Sequence, residues 1–75
     1  MSASHTCFYG YYLYYDDDTL SDLKDAFNYL GKLDESQIKT FFTAAKIDGE
    51  ANFKSSYGYD YKIIYSDKMY TLVKR

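Results

Sequence analysis

Residues 7–18 read C-F-Y-G-Y-Y-L-Y-Y-D-D-D, six aromatic rings within nine residues followed at once by three aspartates. Aromatic side chains fit a pleated, half-buried surface, so the composition predicts a strand over residues 6–15. On one continuous strand, Cys7, Tyr9, Tyr11, Leu13 and Tyr15 would share a face, with Phe8, Gly10, Tyr12 and Tyr14 on the other. Neither face is polar. Such a strand needs helices over one side, and tyrosine neighbours or a partner over the other.

The segments that follow supply the helices. Thr19 to Asp22 has the spacing of a capping box, and Leu20, Leu23, Phe27 and Leu30 recur at helical steps up to Gly31, a candidate left-handed stop. A second helix starts at Asp34, with Gln37 at its third position and Leu33 placed to staple onto Ile38. Ile38, Phe41, Phe42 and Ala45 form its apolar face, and Asp48-Gly49 ends it.

Beyond Gly49 the period changes to two. Tyr57, Tyr59, Tyr61, Ile63 and Tyr65 line one face of a second strand, Ser66 to Lys68 turn the chain, and Met69–Lys74 returns as a third. Residues 50–56 fit either a loop or a strand extension. The expectation is an α+β fold in the order β-α-α-β-β, a three-stranded, at least partly antiparallel sheet with a helix pair on one face. It forms a single domain over residues 1–75, with 1–5 a mobile start.

Composition restricts the function classes. At 75 residues and 47% apolar, with no proline, the chain can fold but has little stability to spare. One cysteine, Cys7, cannot form an internal disulfide, and no apolar run is long enough to span a membrane, which points to a soluble, cytoplasmic protein. Net charge is −2, but residues 1–37 carry −5 and residues 38–75 carry +3. The acidic part centres on Asp16, Asp17, Asp18, Asp22 and Asp25, of which Asp18, Asp22 and Asp25 share one helix face continued by Tyr29.

Residues 30–53, L-G-K-L-D-E-S-Q-I-K-T-F-F-T-A-A-K-I-D-G-E-A-N-F, resemble the linker, entering helix and loop start of a calmodulin-type EF-hand. The family's loop opens with aspartate, turns on a glycine and closes with glutamate. Here Lys46 stands at the opening, Ala51 at the turn, and Lys54 to Ser56 offer no glutamate, so the resemblance implies no calcium site.

Enzymatic chemistry is poorly supported. Cys7 and His5 lack an orienting third group, and Ser55, Ser56 and Ser66 have no base in view. No cofactor or metal motif is present. Y-G-Y occurs at residues 9–11 and 57–59, where glycine within a strand would let a neighbouring ring lie over it. Eleven tyrosines exceed what so small a core can hold, because each buried hydroxyl needs a partner.

The expected function is therefore non-enzymatic protein binding. The candidate contact residues are Tyr12, Tyr14, Tyr15, Asp16, Asp17, Asp18, Asp22, Asp25, Tyr29, Tyr57, Tyr59 and Tyr61. A partner with a basic surface, such as nucleic-acid-handling machinery, would match the acids. Small acidic proteins of this kind are similar in type to phage-encoded, anti-defence inhibitors of host nucleases. The alternative is a single-stranded nucleic-acid binder with a tyrosine platform, which Asp16 to Asp18 oppose by repelling phosphate. Self-association as a homodimer through an open sheet face or edge is a further alternative.

Overall fold

The computed structural model describes residues 3–75, in the order β1 (Ala3–Phe8), β2 (Tyr11–Asp16), a single 3-10 turn (Asp17–Thr19), α1 (Leu20–Gly31), α2 (Glu35–Asp48), β3 (Glu50–Lys54), β4 (Asp60–Ser66) and β5 (Met69–Lys74). The class is α+β, but the sheet has five strands in the order β1-β2-β5-β4-β3 rather than three. All neighbours are antiparallel except β2 and β5, which are parallel. Of the start expected to be mobile, residues 3–5 belong to β1, and residues 1 and 2 lie outside the described residues.

The extra strands arise at the two Y-G-Y segments. Tyr9 (φ 51°) and Gly10 (φ 89°) both take positive φ, making the two-residue turn whose twist suits a hairpin. What reads as one long strand is therefore two, paired from Ala3↔Asp16 to Phe8↔Tyr11. The turn also breaks the expected face assignment: Tyr11, Leu13 and Tyr15 face the helices, whereas Cys7 faces away, opposite Tyr12. At the second segment, Gly58 (φ 89°) turns the chain between β3 and β4, so Tyr57 and Tyr59 lie in a loop. No ring covers either glycine; the space above both is open.

Residues 50–54 become β3 because Ala51 and Phe53 alternate inward between exposed neighbours. At the helix starts, Asp34 accepts from the Gln37 N–H (2.9 Å) and Gln37 returns the bond to the Asp34 N–H (3.2 Å), as the spacing predicts. Thr19 makes no such cap. Its hydroxyl donates to the Asp16 carbonyl (2.8 Å), and Asp16 caps the preceding turn by accepting from the Asp18 N–H. Gly31 remains helical, while Gly49 takes the left-handed conformation that ends α2. Where the EF-hand loop would open, α2 runs on through Lys46.

Both helices pack on one face of the sheet. Leu23, Ala26 and Leu30 of α1 and Ile38, Phe42 and Ala45 of α2 bury against Leu13, Tyr61, Ile63 and Leu72. Phe42 ties the layers together, stacking on Tyr11 (4.7 Å between centroids) and meeting the edge of Tyr70 (4.8 Å). Phe41 and Phe27 are only half-buried and Leu20 is exposed, so each helix buries a narrower stripe than its apolar pattern implies.

Candidate partner-binding surface

The other face of the sheet has no cover. Among the described residues, none that points away from the helices is buried, from His5 and Cys7 on β1 across to Glu50, Asn52 and Lys54 on β3. Tyrosine and β-branched side chains occupy its middle because strand formers were available on both faces of β2 and β5. Register brings them together. His5 lies opposite Tyr14, Tyr14 beside Thr71, and Thr71 opposite Ile64. His5 meets the edge of Tyr12 and tilts against Tyr14, both at 5.2 Å between centroids. Tyr12 is 54% exposed and Met69 41% exposed, and Val73, half-buried, lies farther along β5 beside Asp16.

Along β2 the same face runs from Tyr12 through Tyr14 to Asp16, and then to exposed Asp17 and Asp18. Asp22, also exposed, lies in the first turn of α1, where its charge favours the positive end of the helix dipole. Beside these acids is a cleft of about 410 Å³ between α1 and the ends of β2 and β5, lined by Asp16, Thr19, Asp22 and Lys74 among others. Tyr12, Tyr14 and Asp16 to Asp18 thus follow one another along one side of this face, with Asp22 beyond them on the helix layer.

Four of the expected contact residues lie on the helix side of the sheet instead. Tyr15 packs its ring on Phe27 (5.0 Å) and Tyr29 stacks on Phe53 (5.7 Å), both on the helix side. Tyr61 is buried, 1% exposed, because its odd-numbered position on β4 points inward. Asp25 is drawn into the same interior. Its carboxylate accepts from the buried Ser55 hydroxyl and from the Tyr61 hydroxyl (3.1 Å), which also reaches the Asp22 carbonyl (3.4 Å). Burial, and secondarily the bond to Asp25 and its charge, push the Tyr61 phenol up to about 12. The helix stripe Asp18-Asp22-Asp25 is therefore split, with two acids exposed and the third latching α1 to the β3–β4 loop.

Tyr57 and Tyr59 are exposed as expected, but at the tip of the β3–β4 loop, away from Tyr12 and Tyr14 in the sheet order. The Lys74 ammonium sits 4.7 Å from the Tyr59 ring centre, a cation–π contact. Sequence reading missed His5, Ile64, Met69, Thr71 and Val73 as members of the open face. The β1–β2 hairpin sets His5 against Tyr12 and Tyr14, while the others reach this face beside the tyrosines through the parallel pairing of β2 with β5, which no local pattern encodes.

Among the described residues, no group of three or more His, Cys, Asp or Glu side chains is placed to hold a metal ion, and no helix is long and apolar enough to cross a membrane. No family model, curated protein or solved structure matches this chain.

Proposed function

We propose that this chain is a non-enzymatic protein-binding module that docks through its uncovered sheet face. The observation that carries the reading is the cluster of His5, Tyr12 and Tyr14 on the bare side of a five-stranded sheet, continuous with Asp16, Asp17 and Asp18. Tyrosines give large contact area at low entropic cost, and acids at one end orient a partner and speed its approach. The complementary partner is a protein with an apolar patch bordered by basic residues. Nucleic-acid-handling proteins carry such basic grooves, and inhibition of one, by analogy of type with phage-encoded inhibitors of host nucleases, is the form of binding that the acidic end favours.

The test is affinity capture with the natural chain, a Tyr12→Ser/Tyr14→Ser double variant and an Asp17→Asn/Asp18→Asn/Asp22→Asn triple variant, with and without added nuclease. The expected result is a stoichiometric protein that survives nuclease, is lost with the double variant, and binds the triple variant with weaker salt dependence. Capture that disappears on nuclease treatment would overturn this reading in favour of a tyrosine platform that stacks bases.

A further inference from the structure

A second surface points to a different occupant. Strand β3, Glu50-Ala51-Asn52-Phe53-Lys54, ends the sheet. The Gly49 carbonyl accepts from the Tyr65 N–H (2.9 Å) and the Ser55 N–H donates to the Tyr59 carbonyl (3.0 Å). Backbone groups of the odd-numbered residues therefore point toward β4. By strand alternation, the N–H and C=O of Glu50, Asn52 and Lys54 point outward at the free edge.

From this geometry we infer that two copies of the chain pair through β3, antiparallel about a two-fold axis at Asn52. In that register Asn52 meets Asn52 of the second copy, and Glu50 meets Lys54 at both ends. All three pairs are of the hydrogen-bonded kind, giving about six new backbone bonds. The occupant follows from the charges. An edge strand bearing like charges repels itself, one of the devices that keep edges apart. Here one acid and one base stand symmetrically about a neutral residue, so the strand is its own electrostatic complement, as an isologous interface requires. Registers centred on Glu50 or Lys54 would set like charges together, which disfavours them.

Neighbouring ion pairs extend the pattern. Lys54 lies 3.7 Å from Asp60, and Glu50 lies 3.6 Å from Lys62, all on the uncovered face. Pairing would give an alternating row, Asp60, Lys54, then Glu50 of the second copy, across the junction. On the helix side, Ala51 would face Phe53 of the second copy, small against large. The opposite edge, β1, has no acid and base placed in this way. The paired form would be a continuous ten-stranded sheet, with both uncovered faces on the same side.

Sedimentation across a concentration series reads the monomer–dimer equilibrium. Natural chain is expected to dimerise reversibly, and Glu50→Lys or Lys54→Glu alone to weaken the dimer roughly tenfold by turning two attractive pairs into repulsive ones. Mixing the two single variants should restore association as a heterodimer, and the double variant Glu50→Lys/Lys54→Glu should recover the homodimer. Asn52→Pro removes an edge-facing N–H that no bond within the sheet uses, so it should abolish pairing while circular dichroism stays native. A natural chain that remains monomeric to millimolar concentration overturns the inference. So does a dimer indifferent to both charge reversals, which would place its contact on another surface. Neither outcome bears on docking at Tyr12 and Tyr14, which is read from the capture experiment.

Discussion

Asp25 shows how a residue with the spacing of a surface acid is turned inward and half-buried. Its position on α1 faces buried Ser55 in the β3–β4 loop and Tyr61 on β4, both of which need an acceptor. Replacing Asp25 with alanine strands the buried Ser55 hydroxyl and leaves Tyr61 only its longer bond to the Asp22 carbonyl, and is expected to cost about 1–3 kcal/mol, against about 0.5–1.5 for Tyr61→Phe, which removes only one donor. Urea titration would rank them, and equal costs would contradict the shared-acceptor account. The Tyr61 phenol adds a pH signature. A phenol whose folded pKa lies above its ordinary value of 10.0 binds its proton more tightly in the folded state. Its contribution is complete below pH 10 and is lost as pH rises toward 12. Melting temperature should therefore fall across that window, and fall less steeply in Tyr61→Phe. Tyr70, also raised chiefly by burial, leaves a residual slope in that variant.

The hairpins are decided at the scale of the element. Asp67 (φ 53°) and Lys68 (φ 66°) fill both positive-φ positions of the β4–β5 turn without a glycine. Lys68→Gly relieves a left-handed side-chain clash in the type of turn that prefers Asp-Gly. Relief of about 1–2 kcal/mol of left-handed strain, less about 0.5–1 for the greater freedom of glycine in the unfolded chain, leaves an expected net stabilisation of about 0.5–1 kcal/mol. A lower midpoint in thermal unfolding would refute that assignment. The α2 cap gives the opposite sign: Asp34→Ala removes the bond to the Gln37 N–H and should cost about 1 kcal/mol. The α2 cap was readable from the sequence because both partners lie within one turn, whereas the Thr19 spacing misled because its hydroxyl bonds back to the Asp16 carbonyl. The Tyr9-Gly10 turn was not readable, because tyrosine at positive φ is uncommon and local propensity favours a continuous strand.

At the scale of the whole molecule, the β1–β2 hairpin joins the rest of the sheet through a short parallel register, Leu13↔Tyr70 and Tyr14↔Thr71. By contrast, β4 and β5 pair along their full lengths, from Tyr61↔Lys74 to Ser66↔Met69. Amide exchange should accordingly be fastest in β1 and slowest in β4 and β5, with Phe42 against Tyr11 holding the hairpin in place. Phe42→Ala would open that contact and is expected to raise exchange in β2 as well as lowering global stability by about 3–5 kcal/mol. Uniform protection across all five strands would show that the hairpin does not open separately.

By itself the sequence determined the α+β class, both helices, the capped start of α2 and that Tyr61, Ile63 and Tyr65 share one face of a strand. Each of these depends on periodicity or on contacts between residues a turn apart. Only the tertiary structure decided that residues 3–16 fold back on themselves, that β2 runs parallel to β5, and that Asp25 and Tyr61 leave the surface for the interior. The hairpin depends on a turn whose tyrosine takes an uncommon positive φ, and the other two depend on contacts between residues distant in the chain, which no local window contains. The uncovered face follows from the same cause: two short helices can cover only one side of a sheet, and the pairing selects which tyrosines remain on the other.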